Sequence, residues 1–217
     1  MRIHKFSVLF LVLWSIFSAA QAKLEKLPAL TDASVPAAIR AALDAGGSRL
    51  VRPDGSVLCE IWLRKSLPVG RVTAAKGAAY PEMSESALLG VISFPNGGKD
   101  FRGQAIKPGL YTMRYELLPE DGNHMGVAPT RDFVLLVTAS ADRDPDAQYD
   151  FAQLVKLSAQ AAGTNHPAAF VLLAPESGAV PRTYQNPDGF QVFAGAIKTD
   201  GGKNVPIALV VKGQAEQ

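Results

Sequence analysis

Only one cysteine, Cys59, stands in a chain of 217 residues. No intramolecular disulfide can form, so the core must hold the fold without a covalent staple. Histidine is almost as scarce, with three residues. Beyond the first 22 residues, no apolar run approaches the roughly 18 residues that a membrane-crossing helix needs. No glycine-rich phosphate loop follows a strand and opens a helix, and no Gly-x-Ser-x-Gly elbow is present. There is no repeat and no low-complexity tract. These absences argue against nucleotide binding by the familiar routes and against a hydrolase of a known motif class, and no catalytic residue is assigned.

Residues 1 to 22 read as an export leader. Arg2, His4 and Lys5 make a basic start, Phe6 to Phe17 an apolar core too short for a membrane span, and Ala20-Gln21-Ala22 a small-x-small cleavage pattern. No cysteine follows the apolar core, which argues against a lipid anchor. The expected mature chain is a single soluble domain over residues 23–217, in the periplasm or outside the cell. Arg2 and Lys5 leave with the leader, which holds no acid, so the formal charge falls from +2 to about zero. A neutral chain without a basic cluster offers no electrostatic footprint for nucleic acid or for anionic lipid.

The chain is organised around residues 102–140. Lys107-Pro108-Gly109 signals a turn. From there Tyr111, Met113, Tyr115 and Leu117 alternate with Thr112, Arg114, Glu116 and Leu118, which predicts a strand with an aromatic and apolar row on one face. Phe133 to Ala139 is apolar at nearly every position and predicts an interior strand covered on both faces. Between them, residues 120–131 form a polar connection longer than an ordinary hairpin loop, the kind of segment where function concentrates.

Elsewhere, residues 34–44 predict a short helix with Ser34 as its cap and Gly46-Gly47 as its end. Leu50-Val51 and a strand through Cys59 flank a Pro-Asp-Gly turn. Val57, Cys59, Ile61 and Leu63 share one strand face, so the thiol is expected to be buried and inert. Residues 69–85 show no pattern and 87–94 predict a strand. Residues 142–146 read as a polar turn. A helix beginning at Tyr149 or Asp150 runs through Ala162 and ends at Gly163, with a strand over 168–173 after it. Residues 190–199 and 205–212 form a last hairpin around Asp200-Gly201-Gly202. About eight strands, separated by turn signals, predict a mainly β fold: an antiparallel β-sandwich or jelly-roll-like domain with two peripheral helices.

Once the leader is removed, His124 and His166 are the remaining histidines. Each follows an asparagine in a predicted loop. With a nearby carboxylate they would form a metal centre only if three or four ligands converged, and their spacing matches no metal signature. No other cofactor is expected. Read without metal, Asn123, His124, Arg131 and Asp132 form a polar rim able to bind a ligand, with Arg131 and Asp132 a local ion pair worth under about 1 kcal/mol. Tyr111 and Tyr115, with Trp62, would add an aromatic platform for a sugar ring if their faces were exposed, although aromatic residues alternating along a strand are more often core.

The stretches IKPGLYTMRYELLPEDGNHMG and TNHPA resemble uncharacterised secreted bacterial proteins of β-sandwich type, in which a Pro-Gly-x-Tyr-Thr strand precedes a polar loop. The resemblance covers residues 85 to 175. It implies an exported all-β domain and carries over no catalytic residue. The expected function is non-catalytic binding of an envelope or extracellular ligand, a glycan or a protein. The alternative is a metal-binding protein or metal-dependent enzyme using His124 and His166.

Overall fold

The computed structural model describes residues 22–68, 77–81, 83–119 and 128–214, so the expected leader, apart from Ala22, lies outside the described residues. In chain order the elements are β1 (Lys23–Pro28), α1 (Ala37–Ala42), β2 (Gly46–Val51), β3 (Val57–Leu63), β4 (Ser66–Leu67), β5 (Leu88–Phe94), β6 (Gly98–Lys99) and β7 (Ala105–Ile106). They continue as β8 (Gly109–Leu117), β9 (Asp132–Thr138), α2 (Phe151–Ala162), β10 (Ala169–Leu173), β11 (Arg182–Gln185), β12 (Gln191–Thr199) and β13 (Asn204–Lys212). Among the described residues the fold is mainly β with two helices.

One eleven-stranded sheet carries the fold, in the order β1-β2-β3-β5-β8-β9-β10-β13-β12-β11, and β6 and β7 form a separate pair. The sheet curls. Its far side comes round so that β4, which follows β3 closely in the chain, pairs in parallel with the end of β12 at Ser66↔Lys198 and Leu67↔Thr199. The other pairings are antiparallel.

Period-two alternation decides what lies inside the curl. Cys59, Ile61 and Leu63 of β3 point inward, as do Tyr111, Met113, Tyr115 and Leu117 of β8. Val134 and Leu136 of β9, Phe170 and Leu172 of β10 and Ile207 and Leu209 of β13 complete the same core. Burying each such side chain stabilises the fold by about 1.5–3 kcal/mol. The outer faces have separate covers. Val35, Ile39 and Leu43, from α1 and its flanks, pack over Trp62, Leu88 and Val91. Leu154 of α2 packs over Leu135, Val137 and Ala169, so β9 is buried on both faces. Phe101 covers Val171, Val192 and Val210, with its ring edge-on to Phe190 at 5.4 Å.

The helices are set by their ends. Asp150 accepts from the Gln153 amide at 2.8 Å while the Gln153 side chain accepts from the Asp150 amide, a capping box that starts α2. Gly163 ends it at φ 69°, a conformation that costs glycine little. At α1 the expected cap does not form. The Ser34 hydroxyl donates instead to Asp32 at 2.7 Å, and the helix stops at Leu43, which bridges to Arg64, ahead of the glycines. Gly46 and Gly47 already belong to β2.

Residues 77–81 and 83–87 pack against the curled sheet. Tyr80 and Met83 enter the inner core. The Tyr80 hydroxyl accepts from the Ala208 amide at 3.0 Å and donates to the Leu173 carbonyl at 2.5 Å. Leu173 and Ala208 are register partners on β10 and β13, so the hydroxyl stands in the ladder where those two strands meet.

Candidate functional site

The end of the sheet at which β8 hands over to β9 collects the largest share of the expected site residues. Asp132 opens β9 and is fully buried. It accepts a hydrogen bond from the Tyr115 hydroxyl at 2.7 Å and another from the Ala79 amide at 2.8 Å, so one carboxylate ties β8, β9 and the 77–87 segment together. Burial and the neighbouring carboxylate push the Tyr115 phenol above its ordinary range. Arg131 donates to the Leu118 carbonyl through Nε at 3.1 Å and Nη2 at 2.8 Å. Thr130 donates to the Leu172 carbonyl at 2.6 Å. Asn123 and His124 lie outside the described residues.

The aromatic platform needs correction. Tyr111 is 5 % exposed and Tyr115 1 %, both on the inner face, while Trp62 is 6 % exposed and packs beneath the α1 segment on the outer face. The three rings share no surface, and no ring face is open to a sugar. Tyr111 donates to the Lys107 carbonyl at 2.8 Å and Trp62 Nε1 to the Pro28 carbonyl at 2.9 Å. The alternation that makes β8 legible also directs its tyrosines into the core.

His166 sits in the exposed turn between α2 and β10. Its amide donates to the Thr164 hydroxyl at 3.1 Å, and that hydroxyl meets Gln104 Oε1 at 2.7 Å. Gln104 Nε2 in turn donates to Asp100 at 2.7 Å, and Asp100 also accepts from the Arg102, Gln104 and Ala169 amides. Burial pushes the Asp100 carboxyl upward, offset by those four donors. Among the described residues, no group of three His, Cys, Asp or Glu side chains is arranged to hold a metal ion. Cys59 is buried on the inner face of β3, and desolvation pushes its thiol far above the ordinary range.

A second polar cluster lies on the outer face of β8. Thr112, Arg114 and Glu116 alternate with the inward tyrosines and would be solvated on an uncovered face, yet all three are buried. The cover is a strap, residues 139–150, leading into α2. Arg114 donates to both oxygens of Asp142, through Nε at 2.8 Å and Nη2 at 2.7 Å. Its remaining N–H groups reach the carbonyls of Ser86, Ala147 and Asp144 at 2.9, 2.9 and 2.7 Å. Thr112 and Tyr149 also donate to Asp142, and the guanidinium lies 5.1 Å from the centre of the Tyr149 ring. Arg64 holds the next stretch, donating to the Pro145 carbonyl at 2.8 Å and to Asp146 at 2.5 Å. The sequence signal for this strap is the alternation of Asp142, Asp144 and Asp146, with Asp150 beyond, which reading it as a plain polar turn passes over.

Glu116 differs from its neighbours. It is 3 % exposed, and the bond it accepts comes from the amide of Leu117 at 3.1 Å. Burial, with Glu85 close by, pushes its carboxyl up to about 7. The outer side of α2 carries an open depression of about 620 Å³ between Phe151 and Asn165. Lys156 is the one charged residue in its wall, so it offers no acid–base pair.

Comparison of the chain with known protein families, with characterised proteins and with solved structures finds no match.

Proposed function

We propose that the chain is an exported, non-catalytic binding domain that recognises a glycan or protein of the envelope or extracellular space through the polar segment joining β8 to β9. The observation that carries this reading is the frame at the two ends of that segment. Leu118 on one side and Thr130, Arg131 and Asp132 on the other are bonded to one another, to Tyr115, to Ala79 and to β10. A rigid frame lowers the ordering cost that a binding segment incurs on meeting its ligand. Asp132, Asp142 and Asp100 are held in structural roles, by Tyr115 and Ala79, by Arg114 and by a loop of amides. With Tyr111 and Tyr115 buried, recognition falls to hydrogen-bonding groups, among which Asn123 and His124 are the expected contacts.

The export reading is supported by the leader pattern in residues 1–22, and the resemblance over residues 85 to 175 points the same way. We read the curled sheet as a distorted antiparallel sandwich. The run from β1 to β10 forms one layer, and β13, β12 and β11 form the other, across the shared core.

The test replaces Asn123-His124-Met125 with Gly-Ser-Gly. Thermal melting and ligand retention, from a glycan array and a pull-down, are then measured on both proteins. The fold is expected to survive with a stability change within about 1 kcal/mol, while ligand binding is lost. Retained binding by the variant overturns the assignment of the segment. Turnover of any substrate class by the parent protein overturns the non-catalytic reading.

A further inference from the structure

Phe151 opens α2 with a ring that the core does not use. The apolar contact at this end of the helix is made by Tyr149, which packs against the cluster that Leu154 forms with Leu135, Val137 and Ala169. Phe151 belongs to none of the apolar clusters and is 47 % exposed. Positions four apart lie on one face of a helix, so Phe151, Val155, Ala159 and Gly163 form a single row along its surface. Side chains shrink along that row from a ring to a hydrogen atom, and the surface falls away into the depression of about 620 Å³. Beside the row run Lys156 and Gln160, with Asn165 past the end of the helix. A Cβ placed on Gly163 would stand 3.9 Å from Lys107 Nζ, so a second ammonium reaches the same end. Among the described residues, the side chains of Lys107, Lys156, Gln160 and Asn165 have no hydrogen-bond or ion-pair partner.

We propose that this depression binds an acidic glycan, with a sugar ring packed on Phe151 and carboxylates of the glycan met by Lys156 and Lys107. The occupant follows from the groups on offer and their order. The C–H groups on a sugar face carry partial positive charge and suit the negative face of an aromatic ring. The amides of Gln160 and Asn165 both donate and accept, as sugar hydroxyls require. Two ammonium groups without a partner complement a ligand of negative charge. Asp150 stands at the Phe151 end of the helix, bonded to the Gln153 amide, so the ligand's charge is directed towards the lysines. From Phe151 to Gly163 the row spans about 18 Å, which suits an oligosaccharide better than a single ring. The C-terminal end of the site is fixed in place, because Gln104 ties Thr164 and Pro167 to the buried Asp100. A fixed frame leaves less to be ordered on binding. Tyr111, Tyr115 and Trp62 are buried, and Phe151 supplies the exposed ring that they do not. The site does not depend on the segment joining β8 to β9.

Calorimetry on the purified protein tests this with the tetrasaccharides of galacturonate, mannuronate and hyaluronan, each as the free acid and as its methyl ester. Nitrogen-15 NMR locates the bound sugar. The expected result is binding of at least one acid, about tenfold weaker for its ester, with shifts centred on residues 151–165. Phe151→Ala is expected to weaken that binding about tenfold at an unchanged melting temperature, because the ring is not part of the core. Should that variant melt early, Phe151→Leu keeps the apolar bulk, removes the aromatic face and is expected to show the same loss. Lys107→Gln and Lys156→Gln are each expected to weaken binding and to flatten its salt dependence. The Gly-Ser-Gly replacement at residues 123–125 is expected to leave it unchanged, which separates this site from the segment between β8 and β9. Shifts confined to residues 128–133, equal affinity for acid and ester, or no binding of any of the three sugars overturns the α2 site. Capture of a protein through α2 without binding of these sugars overturns it as well.

Discussion

Arg114 on β8 and Asp142 on the strap form a two-pronged ion pair in which both side chains are 0 % exposed, although 28 positions separate them in the chain. The pair fastens the strap, and through it α2, to the outer face of the sheet. Its charges lie outside the reach of water, so each depends on the other.

Replacing one partner is therefore expected to cost more than replacing both. Arg114→Met leaves the Asp142 carboxylate buried and unbalanced, with an expected loss of about 3–5 kcal/mol. Asp142→Leu strands the guanidinium in the same way. The double variant is expected to recover part of either loss. Urea unfolding of the three proteins gives the coupling, and a loss below about 1 kcal/mol for Arg114→Met would show that the pair does not hold the strap.

Tyr80→Phe isolates the ladder hydroxyl. The ring still fills the core, but the Ala208 amide and the Leu173 carbonyl lose the group that bridges them. Leaving buried polar groups without partners costs about 1–3 kcal/mol, to be read from thermal melting. Exchange of the Ala208 amide is expected to accelerate in the same variant. Unchanged exchange would mean that β10 and β13 pair without help.

Global stability is expected to fall as pH rises through the window set by Glu116. Below about 4.5 the carboxyl is protonated in both folded and unfolded chains and contributes nothing. Between 4.5 and about 7 the unfolded chain releases the proton while the folded chain keeps it, so stability decreases with pH. Above 7 the penalty is constant, on the order of 3 kcal/mol. Glu116→Gln is expected to raise the melting temperature at pH 8 relative to the parent and to flatten this slope. Parallel melting curves for the two proteins across that range would contradict the assignment.

Cys59 is expected to resist thiol reagents in the native protein and to react fully once the chain is unfolded. Desolvation suppresses the thiolate, the form that attacks. Labelling at the native rate of an exposed thiol would show that the inner face of β3 opens readily.

Much of the architecture was legible because its signals are local. The alternation from Tyr111 to Leu117, the unbroken apolar run of β9 and the capping of α2 by Asp150 and Gly163 each sit within one element. The edge strands β1 and β11 were missed. Their sequences, KLEKLP and RTYQ, are short and polar because an edge strand has a side facing away from the sheet. The site was less legible than the fold. Tyr115 and Asp132 read as possible ligand contacts from their types, and only their 2.7 Å bond reveals a buried tie.

The sequence by itself determined the central strands and which face of β8 carries the aromatic row, because period and turn chemistry act over a few neighbouring residues. Tertiary structure alone decided that the opposite face, Thr112, Arg114 and Glu116, would be covered as well. That outcome depends on Asp142 and its strap arriving from about thirty residues away and matching a guanidinium bond for bond. Polar alternation in a sequence looks the same whether water or a distant carboxylate satisfies it, and the difference lies in which distant groups the packed chain brings within bonding distance.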